Sequence, residues 1–474
     1  MKKNKFIIIC LMLLSTTACK QVLDIKETDL IAGDVALLTV ANNQQGIIGA
    51  YALMNAEMGI LLNSTLSDEV KVGEFYNAAT THEWQYASTD IGLRDNFTAF
   101  PLYYKVIDRV NRVLRALPNA VAANATEEAL KLRLKGEALF LRAYCHFELY
   151  RYYSNSAVST DLALAYMETP SLEPQARIAV GPYFTKLKAD LAAAKPLLPT
   201  TLTDLYRATS LAASGLQARV ALYLKEYTDA VTFSSEYITG LPLASRTVFP
   251  SIWVDAAVNE LAFKLSRTTS LGAKIGSLFR GTSASPSNIG TITWLPSEKL
   301  WNSYDQVNDI RFSSYFKTEP LLVAPRPSKI ISKYAGTAYG TPGENVADAK
   351  IFRTGEMYLI RAEARAELND LTNAAADVNA LRTARINGYT NVTFATKDLA
   401  ITAIMDERFK ELPYEGHRYW DLKRRNLPVQ RLTIDAPNAL ATTLSAGNFR
   451  FLLPIPNSEI QANSLMVQNP GYTN

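Results

Sequence analysis

Two stretches of the chain repeat one pattern, and that repetition restricts the fold more than any other feature. Residues 221–238 read ALYLKEYTDAVTFSSEYI and residues 363–385 read EARAELNDLTNAAADVNALRTAR. Laying Ala230 on Ala374 also places Leu224 on Leu368 and Ala218 on Ala362. In each stretch helical spacing stops at a polar turn, near Tyr227 in one and at Asn369-Asp370 in the other, and then resumes. A helix, a short turn and a second helix, with small residues at the crossing, form the unit of helical repeat proteins. The intervals between units are irregular, so a uniform solenoid is not expected.

Other segments agree. The pattern is helical from Ala41 to Met58 and from Tyr103 to Leu117, where Val106, Val110, Val113 and Leu117 recur at three- and four-residue steps until Pro118. Thr126 is placed as the N-cap of the next helix, whose stripe is Leu134, Ala138, Leu141 and Cys145. A helical pair covers about 181–240. Residues 63–98, 241–349 and 426–474 lack a period and read as loops with short strands. A chain of 474 residues with 48% hydrophobic and 20% charged residues buries a core without disulfide staples. The expected fold is mainly α, one body over 41–474. Its helical pairs lie mainly within 41–240 and 350–412, with a loop-rich insert at about 241–349 and an irregular end at 426–474.

The first residues read as an address. Lys2, Lys3 and Lys5 precede the apolar run Phe6 to Leu14, long enough for a signal and too short for a bilayer span. Small residues lead to Ala18-Cys19, the arrangement of bacterial lipoprotein processing, with Cys19 lipidated and 19–40 as tether. An ordinary secretory signal with an incidental cysteine is the alternative. The net charge is +4, and removing residues 1–18 takes away three lysines and no acids, leaving +1. A nearly neutral body does not suit nucleic acid. With Cys10 and Cys19 accounted for, Cys145 stands alone and reads as a buried hydrophobe.

The familiar catalytic and metal motifs are missing: phosphate-loop, zinc-protease, serine-elbow and EF-hand patterns do not occur. His82, His146 and His417 lack ligand spacing, and Asp68-Glu69 reads as a solvated or capping pair rather than a glycosidase acid and base. The expectation is no catalysis, no metal and no cofactor. A dense charge cluster occupies Ile404 to Arg424: Glu407 and Glu411 lie one turn apart on a helix ended by Pro413, followed by Glu415, Arg418, Asp421 and Arg424 among aromatics. It reads as a network pinning a helix to the body, with an anion or sugar site as the alternative. Flat rings in the irregular segments, Tyr76, Trp84 and Tyr86 in the first and Trp294, Trp301 and Tyr304 in the second, are the ligand-binding candidates. Such rings stack on sugars or cover a peptide, and the alternative is that they fill core beneath loops; Trp253 is a reserve candidate.

At this point the chain resembles the SusD/RagB family of surface nutrient-binding lipoproteins. Cys19, Leu23 and Asp24 match the C-x-x-x-L-D start; Asp309 and Arg311 match D-x-R, with Lys333-Tyr334 downstream. Glu407, Arg408, Glu411, Leu412, Glu415, Gly416, Arg418, Asp421, Leu422 and Arg424 complete the E-R-x-x-E-L-x-x-E-G-x-R-x-x-D-L-x-R signature. The end, PIPNSEIQANSLMVQNPGY, matches the family's close. The resemblance implies a fold of four tetratricopeptide-like helix pairs with the loops gathered on one side. It implies a surface-exposed, outer-membrane lipoprotein that caps a SusC-like TonB-dependent barrel. It implies non-catalytic capture of a glycan, or of peptides as in the RagB branch; a tethered glycoside hydrolase is the reading from another class.

Overall fold

The computed structural model describes residues 36–74, 81–90, 93, 97–154, 157–270 and 274–472. The signal, Cys19, most of the tether and Tyr76 lie outside the described residues. Four helical hairpins follow one another in space. The first joins α1 (Val40–Ala52) to α3 (Phe100–Ala116), with α2 (Glu57–Leu66) between them in sequence. The second is α4 (Ala125–Tyr153) with α5 (Val180–Ala194). The third is α6 (Ser210–Tyr223) with α7 (Tyr227–Gly240). The fourth, α11 (Thr354–Glu367) with α12 (Leu371–Arg385), packs through α11 on α7, and α13 (Lys397–Glu411) lies across α11. Among the described residues no helix is long and apolar enough to cross a membrane.

The repeated pattern is a repeated geometry. Leu224 and Leu368 end their helices with almost the same backbone angles. Lys225 (φ 60°) and Asn369 (φ 59°) then both turn left-handed. Ala218, Ala230, Ala362 and Ala374 are all fully buried where the helices cross. Side-chain caps start the helices: Thr209 Oγ1 accepts from the Ala212 N–H at 3.1 Å, and Asp370 accepts from the Asn373 N–H.

Three boundaries differ from the sequence reading. The helical pattern from Ala41 breaks after Ala52 and restarts as α2, whose last residues, 63–66, run into the expected loop of 63–98. The N-cap of α4 is Asn124, not Thr126: its Oδ1 accepts from Glu127 N at 3.0 Å, while the Glu127 carboxylate takes the Ala123 N–H. Pro118 sits in a 3₁₀ turn, Leu117–Asn119, that prolongs α3.

The insert between the third and fourth hairpins begins with α8 (Phe249–Trp253) and also holds α9 (Glu298–Trp301) and α10 (Ile310–Tyr315). Antiparallel two-stranded clips tie it down. The strand β1 (Val70–Val72) pairs with β3 (Trp294–Pro296), placing Val72 opposite Trp294. The strand β2 (Leu261–Leu265) pairs with β6 (Ala349–Arg353), and β4 (Phe316–Thr318) pairs with β5 (Lys329–Ile331). Gly215 of α6 leaves room for Phe352: a Cβ there would stand 3.0 Å from the ring. After α13 the chain forms α14 (Arg418–Arg424), a short clip of β7 (Val429–Gln430) with β8 (Thr443–Leu444), and α15 (Asn457–Ala462).

Candidate ligand-binding face

The charge cluster is the fastening between hairpins and insert. Glu407 and Glu411 project from one face of α13 into a site sealed from solvent. Arg311, from α10 in the insert, reaches Glu407 at 2.6 Å and Glu411 at 3.2 Å while its other nitrogen holds Asp309 at 2.7 Å. Arg353 at the end of β6 meets Glu411 at 3.0 Å and Glu415 at 2.7 Å. Arg385 at the end of α12 bridges Glu411 (3.0 Å) and Glu260 (2.7 Å), and Lys333 closes on Glu415 at 2.7 Å. Burial alone would raise these carboxyls; the guanidiniums of Arg385, Arg353 and Arg311 reverse that at Glu411, holding it well below the usual range. At Glu407 burial is likewise overcome, by Arg311 first, and the carboxyl falls to about 2. Gly355 must be glycine here, since a Cβ would lie 2.4 Å from Glu411 Oε1.

The rest of the signature extends the fastening. Arg408 binds Asp421 at 2.7 Å, Asp421 binds Arg424 at 2.9 Å, and Arg424 reaches Glu363 on α11. Arg418 grips Asp68 at 2.8 and 2.9 Å, and Lys299 joins at 2.6 Å. Gly416 turns with φ +81°. These contacts tie α13 and α14 to α10, β6, α11 and α12 through buried side chains. Asp68 and Glu69 are not solvated, as the sequence reading had them, but buried. Glu69 takes hydrogen bonds from Ser64 Oγ and the Tyr414 N–H, and burial pushes its carboxyl up to about 8.

The candidate rings separate into two groups. Trp84 is buried: its Nε1 donates to the Leu66 carbonyl at 3.0 Å and the Arg431 guanidinium lies 4.1 Å from the ring centre. Tyr86 donates to the Arg450 carbonyl and stacks on Tyr472. Trp301 and Tyr304 pack with Phe312 and Phe316, and the Tyr304 hydroxyl donates to the Lys410 carbonyl at 2.7 Å. Trp253 lies buried beneath Lys333. These five rings have protein on their faces and present no stacking surface, because the loops above them fold back as core. Trp294 differs. It is half-buried on β3, with its ring 4.9 Å from that of His82.

Around Trp294 the insert is tied together by side chains. Glu74 and Arg326 pair bidentately, Glu74 also takes the Ile292 N–H, and Arg326 donates to the Ile289 and Gly290 carbonyls. The half-buried Tyr339 packs on a separate small core of Ile289, Ile292, Leu295, Leu322 and Ile330. Sequence reasoning passed over Tyr339 and Arg326, which sit in stretches with no period to mark them. A partly exposed flat ring beside polar groups suits stacking on a sugar or a peptide plane. The histidines stay apart: His146 packs on Tyr166 with burial taking it down to about 3, and His417 is buried near Glu356. Cys145 is buried against Met54, and burial pushes its thiol up. Among the described residues no cluster of three or more His, Cys, Asp or Glu could hold a metal ion.

Residues 324–472 match the SusD family, and residues 24–222 match a family described as starch-binding and associating with the outer membrane. SusD-like protein P2 of Formosa agariphila is 25% identical over 522 residues, covering all of both chains. Among solved structures, a SusD superfamily protein from Bacteroides thetaiotaomicron superposes with a TM-score of 0.80 at 21% identity, covering 91% of this chain and 100% of the other. A laminarin-binding SusD-like protein superposes with a TM-score of 0.70 at 21% identity, covering 91% and 99%. The match that begins at residue 324 takes in the 407–424 signature and the closing PIPNSEI and QNPGY, and the four hairpins carry the same fold: the chain belongs to the SusD/RagB family.

Proposed function

We propose that the protein captures a nutrient glycan at the cell surface, without chemistry, and hands it to a SusC-like TonB-dependent barrel. The observation that carries this is the match of residues 24–222 to a starch-binding, outer-membrane-associated family, alongside the fold shared with a laminarin-binding protein. The architecture supports it. The hairpins are the scaffold, buried ion pairs join the insert to it, and the half-buried ring Trp294 lies on the insert. The acidic side chains that stood out in the sequence are committed to buried pairs or buried hydrogen bonds, which supports binding over hydrolysis. Cys19 would hold the body at the outer membrane.

Calorimetric titration against a panel of β- and α-glucan oligosaccharides tests the capture, with an assay for released reducing ends run on the same mixtures. Heat of binding without new reducing ends is the expected result. Binding only to peptides would replace the glycan by the RagB-type ligand, and reducing ends would reinstate the hydrolase. Co-purification with a barrel protein from the outer membrane tests the partner. Cys19→Ala, followed by fatty-acid labelling and membrane fractionation, tests the anchor.

A further inference from the structure

The first hairpin carries a surface that the capture reading does not use. The exposed positions of α3 are Pro101, Lys105, Arg109, Arg112 and Arg115. Four cations therefore line one face of one helix, over about 15 Å of its length. Asp108, the one acid on α3, is paired with Arg112 at 2.7 Å. The neighbouring α1 contributes no charged residue of either sign. It does contribute Ile48, 42% exposed, next to Gly49, whose carbonyl takes a hydrogen bond from Arg109. Leu38 and Val121 are 51% and 65% exposed and lie side by side, joined by the Val121 N–H to Leu38 carbonyl bond at 2.8 Å. Leu37 and Leu38 line one groove with Arg112, Arg115 and Asn119, and Ala36, the first described residue, lines it too.

Exposed aliphatics interleaved with an excess of cations are the chemistry of a surface that rests on anionic headgroups, aliphatics at the acyl boundary and cations among phosphates. We propose that this face of α1 and α3 is a membrane-contact surface for anionic lipid. The inference rests on the proposed anchor at Cys19: 17 residues, 19–35, separate it from Ala36 in this groove and can span at most about 60 Å, which keeps the groove within reach of the bilayer. Docking would set the orientation of the body, whichever ligand the insert takes.

The test uses the mature lipoprotein in vesicles of phosphatidylcholine alone or mixed equally with phosphatidylglycerol, read by amide hydrogen exchange over residues 36–52 and 100–121. Protection of both segments on the anionic vesicles only, abolished at about 1 M salt, is the expected result. Lys105→Glu with Arg115→Glu, neither of which holds an ion pair among the described residues, should lower docking by about twenty-fold or more at an unchanged melting temperature. Equal protection on both vesicles, no protection on either, or protection that survives the charge reversal would overturn the proposal. So would the same protection by inorganic phosphate without vesicles, which marks a soluble-anion site.

Discussion

At the scale of residues, the signature from 407 to 424 is best understood through what each charge would face alone. Arg311 touches Asp309, Glu407 and Glu411, and all four are buried. Removing one partner of a buried pair costs about 3–5 kcal/mol, because the remaining charge keeps its desolvation penalty. Arg311→Ala should therefore melt well below the wild type, or fail to accumulate. A variant that melts normally would show that these pairs do not hold the insert. Acid should act through the same carboxyls. Glu407 is held down to about 2 from an ordinary 4.5, so its contribution is present above about 4.5 and is lost as pH falls toward 2. Glu69 has the opposite sign. Its carboxyl is raised to about 8, so its contribution is complete below 4.5 and is lost as pH rises through 8. Glu69→Gln mimics the protonated form. Its melting temperature relative to wild type should climb between about pH 4.5 and pH 8 and level off above, as followed by thermal unfolding across that range. A difference that stays flat would place the Glu69 carboxyl at its ordinary value.

At the scale of elements, the hairpin turns are the informative part. Asn369 and Lys225 occupy the same left-handed position after equivalent helices. A β-branched residue there costs roughly 1–2 kcal/mol, whereas glycine adopts it freely. Asn369→Val should lower the melting temperature, and Asn369→Gly should leave it nearly unchanged. Equal effects of the two would mean that the Asn369 side chain, not its backbone angle, matters. The periodicity of these helices was plain in the sequence because each buries one stripe of its surface. The break between α1 and α2 was not, since the apolar spacing continues through residues 53–56. The Asn124 cap lost to Thr126 because both residues are good caps, and only the path of the entering chain decides between them.

At the scale of the whole molecule, binding and stability should come apart. Trp294 is half-open on the insert and Trp84 is core, although both looked alike as tryptophans in aperiodic sequence. Trp294→Ala should weaken the cognate glycan by about thirty-fold, roughly 2 kcal/mol, with little change in melting temperature. Trp84→Ala should cost about 3–5 kcal/mol of stability through the cavity it leaves. Titration calorimetry beside thermal unfolding measures both. Unchanged affinity in Trp294→Ala would move the binding face elsewhere on the insert, toward Tyr339.

The sequence alone determined what repeats or is local. The helical pairs, the small residues at their crossings, the equivalence of two turns and the charge-dense segment all follow from spacing along the chain. Tertiary structure decided which partners those charges meet and which rings stay open. Arg353, Arg385 and Glu260 come from a strand, a helix end and a loop far from Glu411 in sequence, and no local pattern announces them. Whether an aromatic in a loop is platform or core depends on the path of other loops over it. That path is set by long-range pairings such as Val72 with Trp294, made only when the whole insert closes on the hairpins.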